Sequence, residues 1–133
     1  MAKTRFVIVI MLLAFILVMT VLSGCLKFRD YSDPITENIL ISMNTGDYES
    51  FKKDFDDGML AAFPQEKFSD FLSQTKGQFG DYRPDSKNFI RYYYVEGLTS
   101  ITYNAEFSNA GWLEVRIVFR KVNEQMKVAG IWF

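Results

Sequence analysis

Histidine is missing from this 133-residue chain, and cysteine occurs once, at position 25. These two shortages exclude an internal disulfide, the Ser-His and Cys-His nucleophile pairs, and most zinc sites, because each draws on those side chains. Neither a metal site nor a cofactor is expected. An excess of one charge is missing too: fifteen Lys and Arg stand against sixteen Asp and Glu, a formal charge of −1. With no basic surplus to hold a phosphate backbone, nucleic acid is not an expected partner. No internal repeat and no low-complexity tract occurs. What is present is ordinary for a globular chain, 49% hydrophobic and 23% charged. The length leaves room for one domain and excludes a multidomain enzyme.

The N-terminus departs from this even background. Lys3 and Arg5 precede an apolar run from Phe6 to Leu22 in which Thr20 is the only residue outside the hydrophobic set, the shape of a signal peptide. As a helix this run reaches roughly 26 Å against roughly 30 Å of bilayer hydrocarbon, so length alone leaves a membrane span open. Leu22-Ser23-Gly24-Cys25 resembles the lipobox of prokaryotic lipoproteins, in which small residues let the peptidase approach the backbone and the thiol receives a diacylglyceryl group. All four positions match, and the only Cys falls where the lipobox requires it. The alternative is an uncleaved anchor helix with Cys25 incidental at the membrane surface. In either case Lys3 and Arg5 hold the N-terminus in the cytoplasm, which puts the domain on the extracytoplasmic face of the cell membrane. The chain therefore divides into a signal peptide over 1–24, a lipid-anchored connector over 25–32 and a folded domain over 33–133. Two acyl chains, at about 0.8 kcal/mol per buried methylene, suffice for lasting attachment. Residues 1–24 hold two basic and no acidic side chains, so the remainder carries thirteen basic and sixteen acidic groups, a formal −3.

Beyond the connector, Asp33-Pro34 reads as a helix start, with Pro at a position whose amide needs no partner. Ile35, Ile39 and Met43 recur every four residues, Leu40 widens the stripe, and Asn44-Thr45-Gly46 ends it. Asp47 caps a second helix with Tyr48, Phe51 and Phe55 on one face, interrupted at Gly58. Phe63-Pro64 opens a third, where Phe68, Phe71, Leu72 and Thr75 form the buried stripe and Gly77 or Gly80 closes it. After Gly80 the period changes to two and aromatic and β-branched residues take over. Strands are expected over 88–96, 99–107, 112–122 and 126–133. Ile101, Tyr103, Ala105 and Phe107 face the core, as do Leu113, Val115, Ile117 and Phe119, with Glu114, Arg116 and Arg120 opposite. In the last strand Met126, Val128, Gly130 and Trp132 oppose Lys127, Ala129, Ile131 and Phe133. Three helices packed on one face of a curved antiparallel sheet of about four strands, preceded by a signal-peptide helix, make an α+β domain.

Asn44-Thr45-Gly46-Asp47-Tyr48-Glu49-Ser50-Phe51, Asp54-Phe55-Asp56-Asp57, Gln65-Glu66-Lys67-Phe68 and the C-terminal Val128-Ala129-Gly130-Ile131-Trp132-Phe133 together resemble a small family of extracytoplasmic domains of unknown function. That family is similar to the cone-shaped nuclear-transport-factor-like superfamily, whose members include ketosteroid isomerases, polyketide cyclases and non-enzymatic binding domains. The resemblance implies an apolar pocket between the helices and the concave sheet face. No motif in it is catalytic, so it speaks to fold rather than function.

Twenty of the twenty-two aromatic residues lie beyond residue 24. Phe51, Phe55, Phe68, Phe71, Tyr103 and Phe107 read as core filling. Tyr48, Met59, Tyr92, Trp112 and Trp132 are the pocket candidates, since Tyr and Trp carry polar atoms that seek partners at a cavity mouth. Isomerase-like relatives use an Asp base with a Tyr or acid donor, and Asp56, Asp57, Tyr92 and Tyr94 match that composition. The superfamily's His-dependent chemistry cannot operate here. Asp54 to Gly58 starts like a calcium loop, but the alternation fails and Gln65 stands where the bidentate Glu belongs. The leading expectation is a lipid-anchored, non-enzymatic domain binding an apolar small molecule, a peptide or another envelope protein. The alternatives are an isomerase- or cyclase-like enzyme and a structural protein that forms homodimers through its sheet face.

Overall fold

A computed structural model describes residues 1, 3, 4, 7–11 and 27–133. Two compact units are distinguished, Met1–Ser32 and Asp33–Phe133. In the first, residues 3, 4 and 7–11 are helical, and the apolar side chains Val7 to Met11 are all at least 50% exposed. Leu22, Ser23, Gly24 and Cys25 lie outside the described residues. Among the described residues no helix is long and apolar enough to cross a membrane.

Among the described residues from Lys27 on, four helices, α1 (Lys27–Thr45), α2 (Tyr48–Lys52), α3 (Asp57–Ala62) and α4 (Gln65–Phe79), precede four strands, β1 (Asn88–Val95), β2 (Leu98–Phe107), β3 (Gly111–Val122) and β4 (Gln125–Trp132). The strands form one antiparallel meander in the order β1-β2-β3-β4, so the α+β class and the helices-then-sheet order are those expected. The helices are where expectation and structure differ. Helix α1 is already formed at Lys27, the first described residue of this stretch and ahead of the expected start at Asp33, and Pro34 lies inside it. Pro34 and Asp30 are both exposed, so the Asp30 carbonyl that the proline leaves without a donor sits where water can supply one. Gly46, at φ +73°, ends α1 as expected, its amide bonding the Ser42 carbonyl at 2.9 Å.

Asp47 caps α2 by accepting from the Ser50 amide at 3.2 Å and hydroxyl at 2.7 Å. The helix stops at Lys52, and Phe55 belongs instead to a segment paired with β4: Val128 donates to the Asp54 carbonyl at 2.7 Å and accepts from the Asp56 amide at 2.9 Å. Asp56 then caps an unexpected helix, α3, accepting from the Met59 amide at 2.7 Å. Gly58 therefore opens a helix where it was expected to interrupt one. Helix α4 ends at Gly80, where φ is +80° and a Cβ would lie 2.1 Å from Ser108 Oγ and 2.8 Å from the Asn109 amide, so only glycine lets the helix end seat against the β2–β3 loop.

The core lies between the helices and one face of the sheet. Ile39, Leu40 and Met43 of α1 are buried with Phe51, Phe55, Phe68, Tyr103, Phe107, Val115, Ile117 and Phe119. Phe51 is the hub of the aromatic cluster, with ring centroids 4.5 Å from Phe68, 5.1 Å from Phe55 and 5.7 Å from Phe63. Phe133 joins Phe71, Phe79 and Phe107 at 5.8–6.1 Å, tying the chain's last residue to α4 and β2.

Strands β2 and β3 alternate as expected. Strand β4 does not, because Val118 pairs with Gly130 while Phe119 pairs with Val128. Ala129 is thus an extra residue, a bulge that reverses the facing of all that follows. Val128 stays in the core, fully buried; Trp132, expected on the same face, points the other way, and Ile131 pairs with core-facing Ile117.

Candidate functional site

On the face of the sheet away from the helices, β2 presents the short side chains Ser100 and Thr102, and their direct neighbours on β1 and β3 are larger. One row across the strands reads Tyr93, Ser100, Val118, Gly130, and the next reads Arg91, Thr102, Arg116, Trp132. Short residues on a central strand between aromatic residues on the edge strands produce a trough. It forms a cleft of about 300 Å³ with Ser100 and Thr102 at its floor, Tyr93 and Trp132 at its sides, Arg91, Glu114 and Arg116 as its charges, and Phe133 at its end. A second hollow of about 280 Å³ runs on from Tyr93, Ser100 and Arg116 toward Val95, Leu98 and Val118.

Trp132 is positioned by its own strand, β4. Gly130 has no Cβ, and a Cβ there would stand 2.1 Å from Trp132 Cη2, so the indole rests directly on the Gly130 backbone. Across the ladder, the Arg116 guanidinium lies 4.8 Å from the indole centroid, within cation–π range. Arg91 is different, because its guanidinium is paired with the Glu114 carboxylate. Arg120, farther along β3, is paired with Asp56 at 3.1 Å. Among the described residues Arg116 has no carboxylate partner, and its charge faces the cleft.

A wider hollow of about 540 Å³ lies between the α4–β1 connection and the β2–β3 hairpin, but its charged side chains are taken up in ion pairs. Arg83 pairs with Glu106 at 2.7 Å, and Ser108 Oγ accepts from the Asp81 amide at 2.9 Å. Beside it, Glu37 of α1 accepts from Tyr82 Oη and the Asp85 amide at 2.9 Å each and from Lys87 Nζ at 2.5 Å. Burial pushes the Glu37 carboxyl up, but the bonds from Lys87, Asp85 and Tyr82 outweigh it and hold the group below the usual carboxylate range. Burial, and then the Glu37 carboxylate, push the Tyr82 phenol well above its ordinary value. This cluster fastens α1 to the segment that leads into β1.

The five pocket candidates do not meet in one cavity. Trp132 walls the outer cleft. Tyr48 packs on Phe68 and donates to the Phe63 carbonyl at 2.8 Å, and Met59 lies on α3. Tyr92 is on the helix-side face of β1, paired with Ile101, and Trp112 is 51% exposed at the start of β3. Of the isomerase-like set, Asp56 is buried as the α3 cap and the partner of Arg120, Asp57 is exposed in the first turn of α3, and Tyr94 is 65% exposed on β1. The cleft residues Arg91, Ser100, Thr102 and Glu114 were not singled out as site residues from sequence. Their alternation was readable, but the bulge that delivers Trp132 to them was not.

The fold and site define a small α+β domain with an open, polar and aromatic cleft on its exposed sheet face. The chain belongs to the family described as Protein of unknown function (DUF3887), whose model matches residues 36–131. Among solved structures it is similar, at 13% identity and a TM-score of 0.48, to a protein titled Rd1NTF2_05 with five substitutions, over 79% of this chain and 96% of that one. No curated protein matches it.

Proposed function

We propose that this chain is a membrane-anchored extracytoplasmic lipoprotein whose domain binds a ligand, and does not turn one over, in the outer cleft of its sheet. The anchor reading is supported by the four matching residues Leu22 to Cys25 and by the exposed apolar side chains Val7 to Met11. The observation that carries the binding reading is the Arg116–Trp132 pair, fixed on Gly130 beside a trough of hydroxyls. A guanidinium, an aromatic face and hydroxyl groups are recognition chemistry. The carboxylate of the cleft, Glu114, is tied up by Arg91, and the candidate base Asp56 is committed to a helix cap and an ion pair.

Two measurements test this. Acyl-chain labelling in a bacterial host is expected to mark the native protein and not Cys25→Ser; a variant that matures to the same mass with its label overturns the anchor. Trp112→Phe leaves Trp132 as the single indole, whose emission is expected to shift with at least one class of lipid, small aromatic compound or short peptide. Unchanged emission throughout, with a measurable turnover abolished by Asp56→Asn, replaces the binding reading with the isomerase-like one. A doubled mass in solution that is lost in Trp132→Ala points to pairing through the sheet face instead.

A further inference from the structure

We infer that the outer cleft recognises a small carboxylate-bearing molecule with a planar or aromatic body, its acid group taken by Arg116 and its body lying between Trp132 and Tyr93. The inference rests on the binding reading above and names the ligand chemistry.

Charge provides the first reason. The side chains lining the cleft include two guanidinium groups and one carboxylate, and Arg91 and Glu114 cancel in their own ion pair. That leaves Arg116 as the cleft's guanidinium with no side-chain carboxylate partner among the described residues, on a domain of net negative charge. One monovalent anion balances it; a phosphate dianion or a polyacid over-fills the charge and meets Glu114. A planar guanidinium presents parallel N–H donors that match a carboxylate in two bonds at once. The cation–π contact on Trp132 restrains the guanidinium before a ligand arrives, so less side-chain freedom is lost on binding.

Shape provides the second reason. Trp132 is 47% exposed and Tyr93 60% exposed, and both line the trough. Ser100 and Thr102 between them are too short to occupy it; Thr102 is buried beneath the floor and Ser100 is half-buried there. The volume, about 300 Å³, lies at the small end of ligand sites, roughly 300–1,000 Å³, which suits a single-ring acid better than a chain of residues.

The test uses the full chain in zwitterionic lipid nanodiscs, with Trp112→Phe in the background, Trp132 emission as the readout and empty discs subtracted. The probes are 3-phenylpropionate, its neutral amide and the corresponding cationic amine. The acid is expected to bind at least about tenfold tighter than the amide, with the amine weakest, and added salt to weaken the acid. Arg116 is exposed, so Arg116→Gln keeps the fold; it is expected to lower acid affinity about tenfold and leave the amide unchanged, and Arg116→Lys to recover part of the loss. Glu114→Gln, which frees Arg91 and removes the opposing charge, is expected to tighten the acid. An amide that binds as well as the acid, in a manner lost with Trp132→Ala by NMR titration, overturns the carboxylate inference and leaves the binding site standing. Failure of all three probes to bind, or binding indifferent to both Arg116→Gln and Trp132→Ala, overturns the inference and the site together.

Discussion

Glu37 shows how much one carboxylate can hold. Its side chain and that of Lys87 are only 16% and 12% exposed, and its other partners come from Tyr82 and the Asp85 amide. Glu37→Gln leaves the ammonium without its counter-charge in a largely buried place, and a loss of about 3 kcal/mol is expected from the midpoint of urea unfolding. The same group sets a pH dependence. Its folded pKa lies below the unfolded one, so the unfolded chain binds the proton first as acid is added. The stabilisation is complete above the unfolded value, about 4.3, and is lost as pH falls through the folded value. Unfolding measured against pH in that acid window is expected to be less steep for Glu37→Gln than for the native chain.

The turns between strands show strain at the level of elements. Glu96-Gly97 and Asn123-Glu124 both have positive φ at their two central residues, the type I′ geometry that matches strand twist and favours Asn-Gly. Glu124, at φ +64°, is a side chain in a conformation suited to glycine, and its ion pair with Lys121 is largely exposed, so it contributes little. Glu124→Gly is expected to stabilise the domain by about 0.5–1 kcal/mol, read as a raised thermal midpoint. Elements of this kind were legible because turn chemistry and period are local: the two-residue alternation gave β2 and β3 their core faces, and Asp47 and Gly46 gave α2 its boundary. The misreadings came from partners remote in sequence. Asp54 to Asp57 is an acidic run until Val128 pairs with it and Arg120 neutralises Asp56; only then does it become an edge segment and a helix cap. Ala129 has nothing in its own identity to mark a bulge. Pro34 fitted a helix start so well that nothing local pointed to a turn and more of helix ahead of it.

At the scale of the whole molecule, the sheet face turned away from the helices is the surface on which recognition is proposed, while the aromatic cluster around Phe51, read from sequence as core filling, holds helices to sheet. Residues 33–133 form a compact unit with its own core, and cutting before Asp33 puts Pro34 in the first turn of a shortened α1, where proline is tolerated. That fragment is expected to unfold in a single cooperative step, with circular dichroism showing both helix and sheet; a spectrum without the sheet component, or a gradual transition, contradicts this. The bulge in β4 has a wider consequence. A strand counts in twos, so a bulge, which sets two residues against one, acts as a parity switch on the sequence pattern. With Ala129 present, the same six C-terminal residues supply Val128 and Ile131 to the interior and Trp132 to the surface. Straightening the strand, so that Ala129 and not Gly130 stood opposite Val118, would turn the same tryptophan inward, whereas deleting Ala129 would leave Gly130 opposite Val118 and Trp132 opposite Arg116, so the bulge, and not the residue types around it, decides which face the indole takes.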